Sequence, residues 1–185
     1  MPETLIRIGV GRNLEARVGV PNYAQIRNGG RVCGWDDLYL GAKIQLGPLG
    51  DGTGAALIPG AFVPAGDRML RREETEPEIA FVWSRDLPQD RSLGGMLRAS
   101  RVRSDGKWST AWAHTIALGM PIGGTFGAFI ELASDFASGE QTEHLFHAGF
   151  THQPRSDKQF DLHLGFGLTS GAPDFFVGVG WSARR

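Results

Sequence analysis

The chain has 185 residues, of which 41% are hydrophobic, 21% are charged and 27 are glycine, with a formal net charge of −1. That length suits one domain, and the near-neutral balance gives no electrostatic reason to expect nucleic acid as a partner. Glycine without a G-X-Y period excludes collagen, the apolar content excludes a disordered segment, and the single Cys33 excludes an internal disulfide framework.

No run approaches the roughly 18 uninterrupted apolar residues of a membrane helix. A barrel strand needs only about 9–11 residues with apolar side chains at every second position, so window hydropathy passes over it. The opening residues Met1 to Val10 carry no basic segment, apolar stretch and small-residue cleavage site of the secretory kind.

Period-two patterns recur from end to end, and helical periods are scarce. Leu5–Val10 is the first strand. Leu14–Val20 sets Leu14, Ala16, Val18 and Val20 against Glu15, Arg17 and Gly19. Asn22–Gly34 is read as a long loop. Leu38–Leu46 sets Leu38, Leu40, Ala42, Ile44 and Leu46 against Tyr39, Gly41, Lys43 and Gln45. Ala55–Val63 precedes a second long loop, Ala65–Glu76. Glu78–Arg85 and Met96–Arg103 follow, then a tight turn at Ser104-Asp105-Gly106-Lys107. Thr110–Met120 and Phe126–Ala133 flank a turn at Pro121-Ile122-Gly123-Gly124. Ser134–Thr142 is a third loop, and His144–His152 turns at Pro154-Arg155-Ser156-Asp157 into Phe160–Thr169. That strand places Phe160, Leu162, Leu164, Phe166 and Leu168 on one face, with Asp161, His163, Gly165, Gly167 and Thr169 on the other. Phe175–Ala183 closes the chain.

About eleven regularly spaced strands predict an all-β protein, an up-and-down antiparallel transmembrane β-barrel forming a single domain over residues 1–185. Short and long connections alternate as periplasmic turns and outer loops do. The last strand then ends in the periplasm and the first begins outside. Bacterial single-chain barrels have an even strand count with both ends inside. The expectation is therefore about 12 strands when complete, with the first strand and a signal peptide lying upstream of Met1.

Alternation alone fits a soluble barrel too, and the charges separate the two. A soluble barrel packs its large apolar residues inside and wears a dense charged coat. Here the non-greasy face is rich in glycine with charges placed singly, which suits a lumen. Arg7, Glu15, Arg17, Lys43, Glu131, Asp161 and His163 share that face and are the candidate lumen and selectivity residues. Opposite signs fall on adjacent strands, as in Glu15 and Lys43. They either neutralise one another and fill the bore, or form a polar constriction that selects permeants. Trp35, Trp83, Trp108, Phe150, Phe175 and Trp181 lie near strand ends, where interfacial aromatic girdles sit.

Particular segments also resemble a known family. Gly34-Trp35-Asp36-Asp37-Leu38-Tyr39-Leu40-Gly41-Ala42-Lys43 is similar to its G-x-x-D-x-x-L-G-A-K strand, and Pro64-Ala65-Gly66-Asp67 to its P-T-G-D. Phe129-Ile130-Glu131-Leu132 is similar to its F-x-E strand. Gln159 to Leu162, Gly165 to Leu168 and Ala172 to Gly180 are similar to its closing strand pair. Together they resemble the outer-membrane transporter family named for the meta-pathway of phenol degradation, along nearly the whole chain and most specifically at the C-terminus. Family members usually begin with an export signal and an earlier strand. The chain ends Trp181-Ser182-Ala183-Arg184-Arg185, where many barrels end on an aromatic read by the assembly machinery. The resemblance implies a channel or transporter with aromatic or other hydrophobic compounds as cargo, and it carries over no catalytic residue.

Other motifs give weaker leads. Gly9-Val10-Gly11 has Leu14 at the third glycine's place with no helix after it, so a dinucleotide fingerprint fails. His144 and His147, three apart on a strand, face opposite sides and cannot share a metal. A barrel hydrolase acting on lipid would need serine, histidine and an orienting group at one rim; Ser84, Ser109, His114 and His147 supply the types. The sequence thus predicts a non-enzymatic outer-membrane channel of a Gram-negative bacterium, without cofactor or metal. It would pass small hydrophobic or aromatic solutes by passive or facilitated diffusion. Its partners are outer-membrane lipid, the solute and the barrel-assembly machinery, and nucleic acid is not among them. A non-transporting structural barrel and an outer-membrane lipid-modifying hydrolase are the alternatives, with a soluble ligand-binding barrel third.

Overall fold

A computed structural model of the chain describes residues 4–27, 31–50, 52–137, 139 and 141–184. Thirteen strands form among them and no helix: β1 (Thr4–Gly9), β2 (Leu14–Val20), β3 (Tyr23–Arg27), β4 (Arg31–Trp35), β5 (Leu38–Pro48), β6 (Thr53–Val63), β7 (Glu76–Leu87), β8 (Arg91–Ser104), β9 (Lys107–Gly123), β10 (Phe126–Ala137), β11 (Glu143–Arg155), β12 (Lys158–Gly167) and β13 (Phe175–Ala183). Eleven of them pair in one sheet in the order β1-β2-β5-β6-β7-β8-β9-β10-β11-β12-β13. This all-β, up-and-down meander is the sheet a barrel is made from. All eleven strands expected from the alternation are present, several of them longer than the pattern alone indicated.

The long loop expected at Asn22–Gly34 instead holds the two-stranded sheet β3-β4, in register from Tyr23 opposite Trp35 to Arg27 opposite Arg31. The connection, residues 28–30, lies outside the described residues. The loop expected at Ser134–Thr142 is shortened by β10, which continues to Ala137; its residues 138 and 140 also lie outside the described residues. The Ser104–Lys107 turn has Asp105 and Gly106 at φ 51° and 72°, the left-handed pair a two-residue hairpin requires. Gln89 and Asp90 make the same turn between β7 and β8 at φ 64° and 55° without any glycine to signal it.

The chain divides into two compact units. The first takes residues 1–47, 55–81 and 98–111, and the second residues 48–54, 82–97 and 112–185. In both, the conventional relation between polarity and burial is reversed. The buried hydrophobic residues are mostly alanines (Ala55, Ala56, Ala80, Ala113, Ala133 and Ala172), joined by Tyr39 and Ile58. The large ones stand outside: Val179 is 81% exposed, Phe175 69%, Val177 66% and Phe150 60%. In β12 the burial alternates strictly, with Phe160, Leu162, Leu164 and Phe166 exposed and Asp161, His163, Gly165 and Gly167 turned to the covered face. Large contiguous apolar patches mark surfaces that meet a protein partner, a membrane or a ligand.

The first unit is fastened by a carboxylate latch between β4 and β5. Asp37, fully covered, accepts the backbone N–H groups of Ala65 and Gly66 on Oδ1, both at 3.0 Å. Its Oδ2 accepts the backbone N–H of Arg72 at 2.8 Å and the Arg72 guanidinium at 3.2 Å. Arg72 in turn binds Glu76 through Nε at 2.9 Å and lies 3.9 Å over the Phe62 ring. Glu76 accepts the backbone N–H of Arg103 at 2.8 Å. From the other direction, Asp67 accepts the Trp35 N–H at 2.7 Å. Gly34 and Gly66 are required by the closeness of this junction. A Cβ on Gly34 would stand 2.6 Å from the Asp67 carboxylate, and one on Gly66 2.6 Å from the Trp35 carbonyl.

Burial pushes the Asp37 carboxyl up, but the three backbone donors and the Arg72 guanidinium outweigh it and hold the group below its ordinary value. A lowered folded pKa contributes stability that is complete above the ordinary carboxylate value, near 4, and is lost as pH falls through the lower folded value. Asp37→Asn should therefore lower the urea midpoint of the refolded protein at pH 7 by the equivalent of about 1–3 kcal/mol. The gap between variant and parent should close as the pH is taken below about 4. A gap unchanged from neutral to strongly acid pH would show that the charge on Asp37 contributes nothing.

Candidate functional site

The ionisable residues of the covered face fall into one tract in each unit. In the second unit, antiparallel register fixes the rows. Glu131 lies opposite His147, His147 opposite Gly165, and Gly165 opposite Phe176. One row away, Phe129 lies opposite Gly149, Gly149 opposite His163, and His163 opposite Gly178. Asp161 lies opposite Thr151 and Gly180. The glycines match the large side chains in position. A Cβ on Gly165 would collide with the Phe176 ring, and one on Gly178 with the His163 imidazole. One on Gly149 would stand 2.6 Å from the Phe129 ring. Each bulky inward group thus lies over a neighbouring strand where a side chain is missing, the arrangement by which rings cover strand glycines.

Within that tract the imidazoles of His147 and His163 are nearly parallel, 10° apart with centroids 6.2 Å from each other. Phe176 presents itself edge-on to His147 at 4.6 Å and to His163 at 6.2 Å. The Nε2 atom of His147 is buried without a hydrogen-bond partner among the described residues. Such a group has given up water and retains unused bonding capacity.

In the first unit the tract is ionic. Glu15 stands opposite Lys43 and Arg7 opposite Arg17, as the alternation required. The carboxylate of Glu15, however, is bound by Arg17 on its own strand, Nε to Oε1 at 2.9 Å. Arg7 is exposed because β1 is the last strand of the sheet and has a neighbour on one side only. The ring of Tyr39 lies over Gly41 and Gly60, and the hydroxyl is the atom nearest to each. Arg98 approaches Glu78 to 3.9 Å on the same face.

The seven candidate lumen residues therefore gather as Arg7, Glu15, Arg17 and Lys43 in one tract and Glu131, Asp161 and His163 in the other. Reading the sequence for that role passed over His147, Phe176, Tyr39, Glu78 and Arg98. For His147 the signal was present: it shares the strand parity of Gly149 and Thr151, which places it with His163 once register is known.

The four hydrolase candidates are not brought together. Ser84 is exposed, Ser109 donates to the Val102 carbonyl at 3.5 Å, His114 packs on Phe136 and His147 packs on Phe176. The serine–histidine contact that forms is Ser134 with His144 Nδ1, at 2.7 Å, on the face opposite Glu131 and His147. His144 and His147 do point to opposite sides. The rest of the His144 surroundings is structural: its N–H donates to the Thr169 hydroxyl at 3.0 Å, and that hydroxyl donates to the Thr142 carbonyl at 2.9 Å. Ser134 itself is only 6% exposed.

Antiparallel strands in chain order, apolar side chains outward and ionisable groups on the covered face, define an all-β protein of the up-and-down barrel-forming class. The chain belongs to the family described as "Putative MetA-pathway of phenol degradation", whose model matches residues 2–184. No curated protein matches it.

The ring-over-glycine rows give a direct test. Gly165→Val should force the Phe176 ring from its place and cost about 1–3 kcal/mol, as overpacking does. Combining it with Phe176→Ala should recover part of that loss, a coupling readable from urea midpoints of the two single variants and the double. Additive losses would show that the two positions do not share space.

Proposed function

We propose that the protein is a bacterial outer-membrane β-barrel channel that passes small hydrophobic or aromatic solutes by passive or facilitated diffusion. One observation carries this reading: large apolar side chains stand exposed along one face of successive strands while the other face carries ionisable groups and glycine. Lipid is the environment that makes the first face favourable, and a closed barrel is the form in which strands cross it with no backbone group unpaired. The family's name supports cargo of an aromatic kind.

Selectivity would arise from the two polar tracts. The Glu15–Arg17–Lys43 group sets the sign of the ions that accompany solute. The second tract suits a solute with a ring and a hydroxyl. Phe176 and the imidazoles offer edges and faces to the ring, and the free His147 Nε2 offers a hydrogen-bonding position to the hydroxyl. A structural barrel without transport is the second reading, favoured by the rings that lie across the inward glycines and narrow the space between strands.

Single-channel recording in planar bilayers separates them, after heat-modifiable migration on a gel has established folding. The channel reading expects discrete conductance steps that phenol reduces. Lys43→Glu should shift the reversal potential toward cation selectivity. His147→Leu should weaken the phenol effect about tenfold, the loss of one hydrogen bond of about 1.4 kcal/mol. A folded barrel that inserts and stays silent would assign the structural role, and a conducting barrel indifferent to Lys43→Glu would remove the ionic tract from selectivity.

A further inference from the structure

Polar side chains on the apolar face need partners, and most find them within the chain. Ser134 and His144 satisfy each other. At the β8–β9 hairpin of the first unit, Arg101 and Arg103 continue the outward row of Leu97 and Ala99. Trp108 lies beneath both guanidinium groups, at 5.7 and 5.6 Å. Arg103 is neutralised, its Nε 3.3 Å from Glu73 and its Nη1 3.0 Å from Glu74. Arg101 differs: it is exposed, donates through Nη1 to the Thr110 hydroxyl at 3.0 Å, and forms no ion pair among the described residues.

A hollow of about 300 Å³ adjoins Arg101, bordered by Pro77, Glu78, Ile79, Ala99, Ser100, Arg101 and Thr110; its surface is almost wholly apolar, and the Glu78 carboxylate lies 3.9 Å from Arg98 on the covered face. Ala99 leaves the space because its side chain ends at Cβ, and Ile79 beside it is 48% exposed. The volume lies at the lower limit of small-molecule pockets. An open apolar hollow with an arginine at its mouth and a tryptophan next to that arginine has the polarity profile of a membrane interface, chain below and head group above.

We propose that this hollow is a lipid site, holding an acyl chain of a phosphate-bearing membrane lipid whose phosphate is received by Arg101. The inference rests on the membrane reading above and adds a ligand and its residues. Charge complementarity decides the head group. Among the described residues Arg101 has no carboxylate partner, and a guanidinium offers parallel N–H donors that match two phosphate oxygens. Thr110 and Trp108 hold its plane in place, so little side-chain freedom remains to be lost on binding. Arg103, two residues on and bearing the same charge, is already neutralised by Glu73 and Glu74 and makes an internal comparison.

The test uses the full chain refolded in maltoside micelles, which contain no phosphate, with bound lipid counted by native mass spectrometry. Dioleoyl phosphatidylglycerol is the main probe. Dioleoylglycerol supplies the chains without phosphate, and inorganic phosphate the charge without chains. Phosphatidylglycerol should be retained at one tight site, with the other two probes at least tenfold weaker. Arg101→Gln should weaken retention about tenfold, and Arg101→Lys, which keeps the charge but loses the planar fork, should fall between. Ala99→Leu fills the hollow without touching the charge and should weaken retention as well, so the proposal stays testable should Arg101→Gln fold poorly. Equal retention by parent, Arg101→Gln and Ala99→Leu would overturn it, as would inorganic phosphate binding as well as the lipid. Heat-modifiable migration and vesicle insertion of the same samples report separately on the membrane reading. Failure of both in the parent protein overturns that reading and this one together, whereas an inserted barrel with equal retention overturns the lipid site alone.

Discussion

Everything in this structure depends on the two-residue period of an extended chain whose two faces meet different surroundings. A slip of one residue in any strand pair would carry Phe160, Leu162 and Leu164 to the covered face and Asp161 and His163 out among the apolar side chains. Register is therefore specified at every strand: β1–β2, β2–β5, β3–β4, β10–β11 and β12–β13 pair without a shift, and β11–β12 shifts only near its turn, between His152 and Arg155. The energetic weight lies outside. With alanines making up most of the buried apolar residues, the covered face supplies little hydrophobic stabilisation. The exposed Leu, Phe, Val and Trp side chains supply it only where something apolar covers them.

The covered face meets a different constraint, which is space. Successive inward residues crowd, and the chain resolves this by alternating large and absent side chains between neighbouring strands. Phe176 lies over Gly165, His163 over Gly178, Phe129 over Gly149 and Tyr39 over Gly41 and Gly60. Glycine in a strand is normally a loss of order and packing. Here it is what lets a ring or an imidazole lie flat against the next strand. Part of the high glycine content has this cause, while Gly50, Gly106, Gly123 and Gly124 instead take positive φ with open space around them, and composition alone could not separate the two.

Much of the fold was legible because alternation is a local signal, read one strand at a time. What escaped reading depends on which residues oppose each other. The Glu15–Arg17 bond within β2 displaced the cross-strand pairing with Lys43 that the sequence suggested, since both partners already lie on one strand two residues apart. His147 joined the second tract only through its register with Glu131 and Gly165. The hairpin β3-β4 was missed because its strands are five residues each and mixed in polarity, although Asn28-Gly29 between them is a strong hairpin signal. The Gln89-Asp90 turn carried no glycine and could not be read at all. The family motifs around Asp37 and Pro64-Ala65-Gly66-Asp67 were visible, but their meaning was not. Thirty residues apart, they form one junction in which each segment satisfies the other's backbone, so they report on the closing of a loop and not on any chemistry with solute.

Polar residues on the apolar face are of two kinds. A hydroxyl or imidazole there is costly unless bonded, and Ser134 with His144 resolves that cost internally, leaving Ser134 covered. What closes this serine to an approaching ester is its burial, at 6% exposure, since a hydrogen bond to imidazole does not by itself disarm a hydroxyl. Charge behaves differently near a strand end, where a long side chain can reach a polar layer. Arg103 and Arg101 have the same chemistry, the same tryptophan and nearly the same depth along the strand, yet only Arg103 is given carboxylates. Under the lipid-site proposal, a guanidinium bonded to a hydroxyl and lying by a ring beside an apolar hollow, with no carboxylate partner among the described residues, receives an anion supplied from outside.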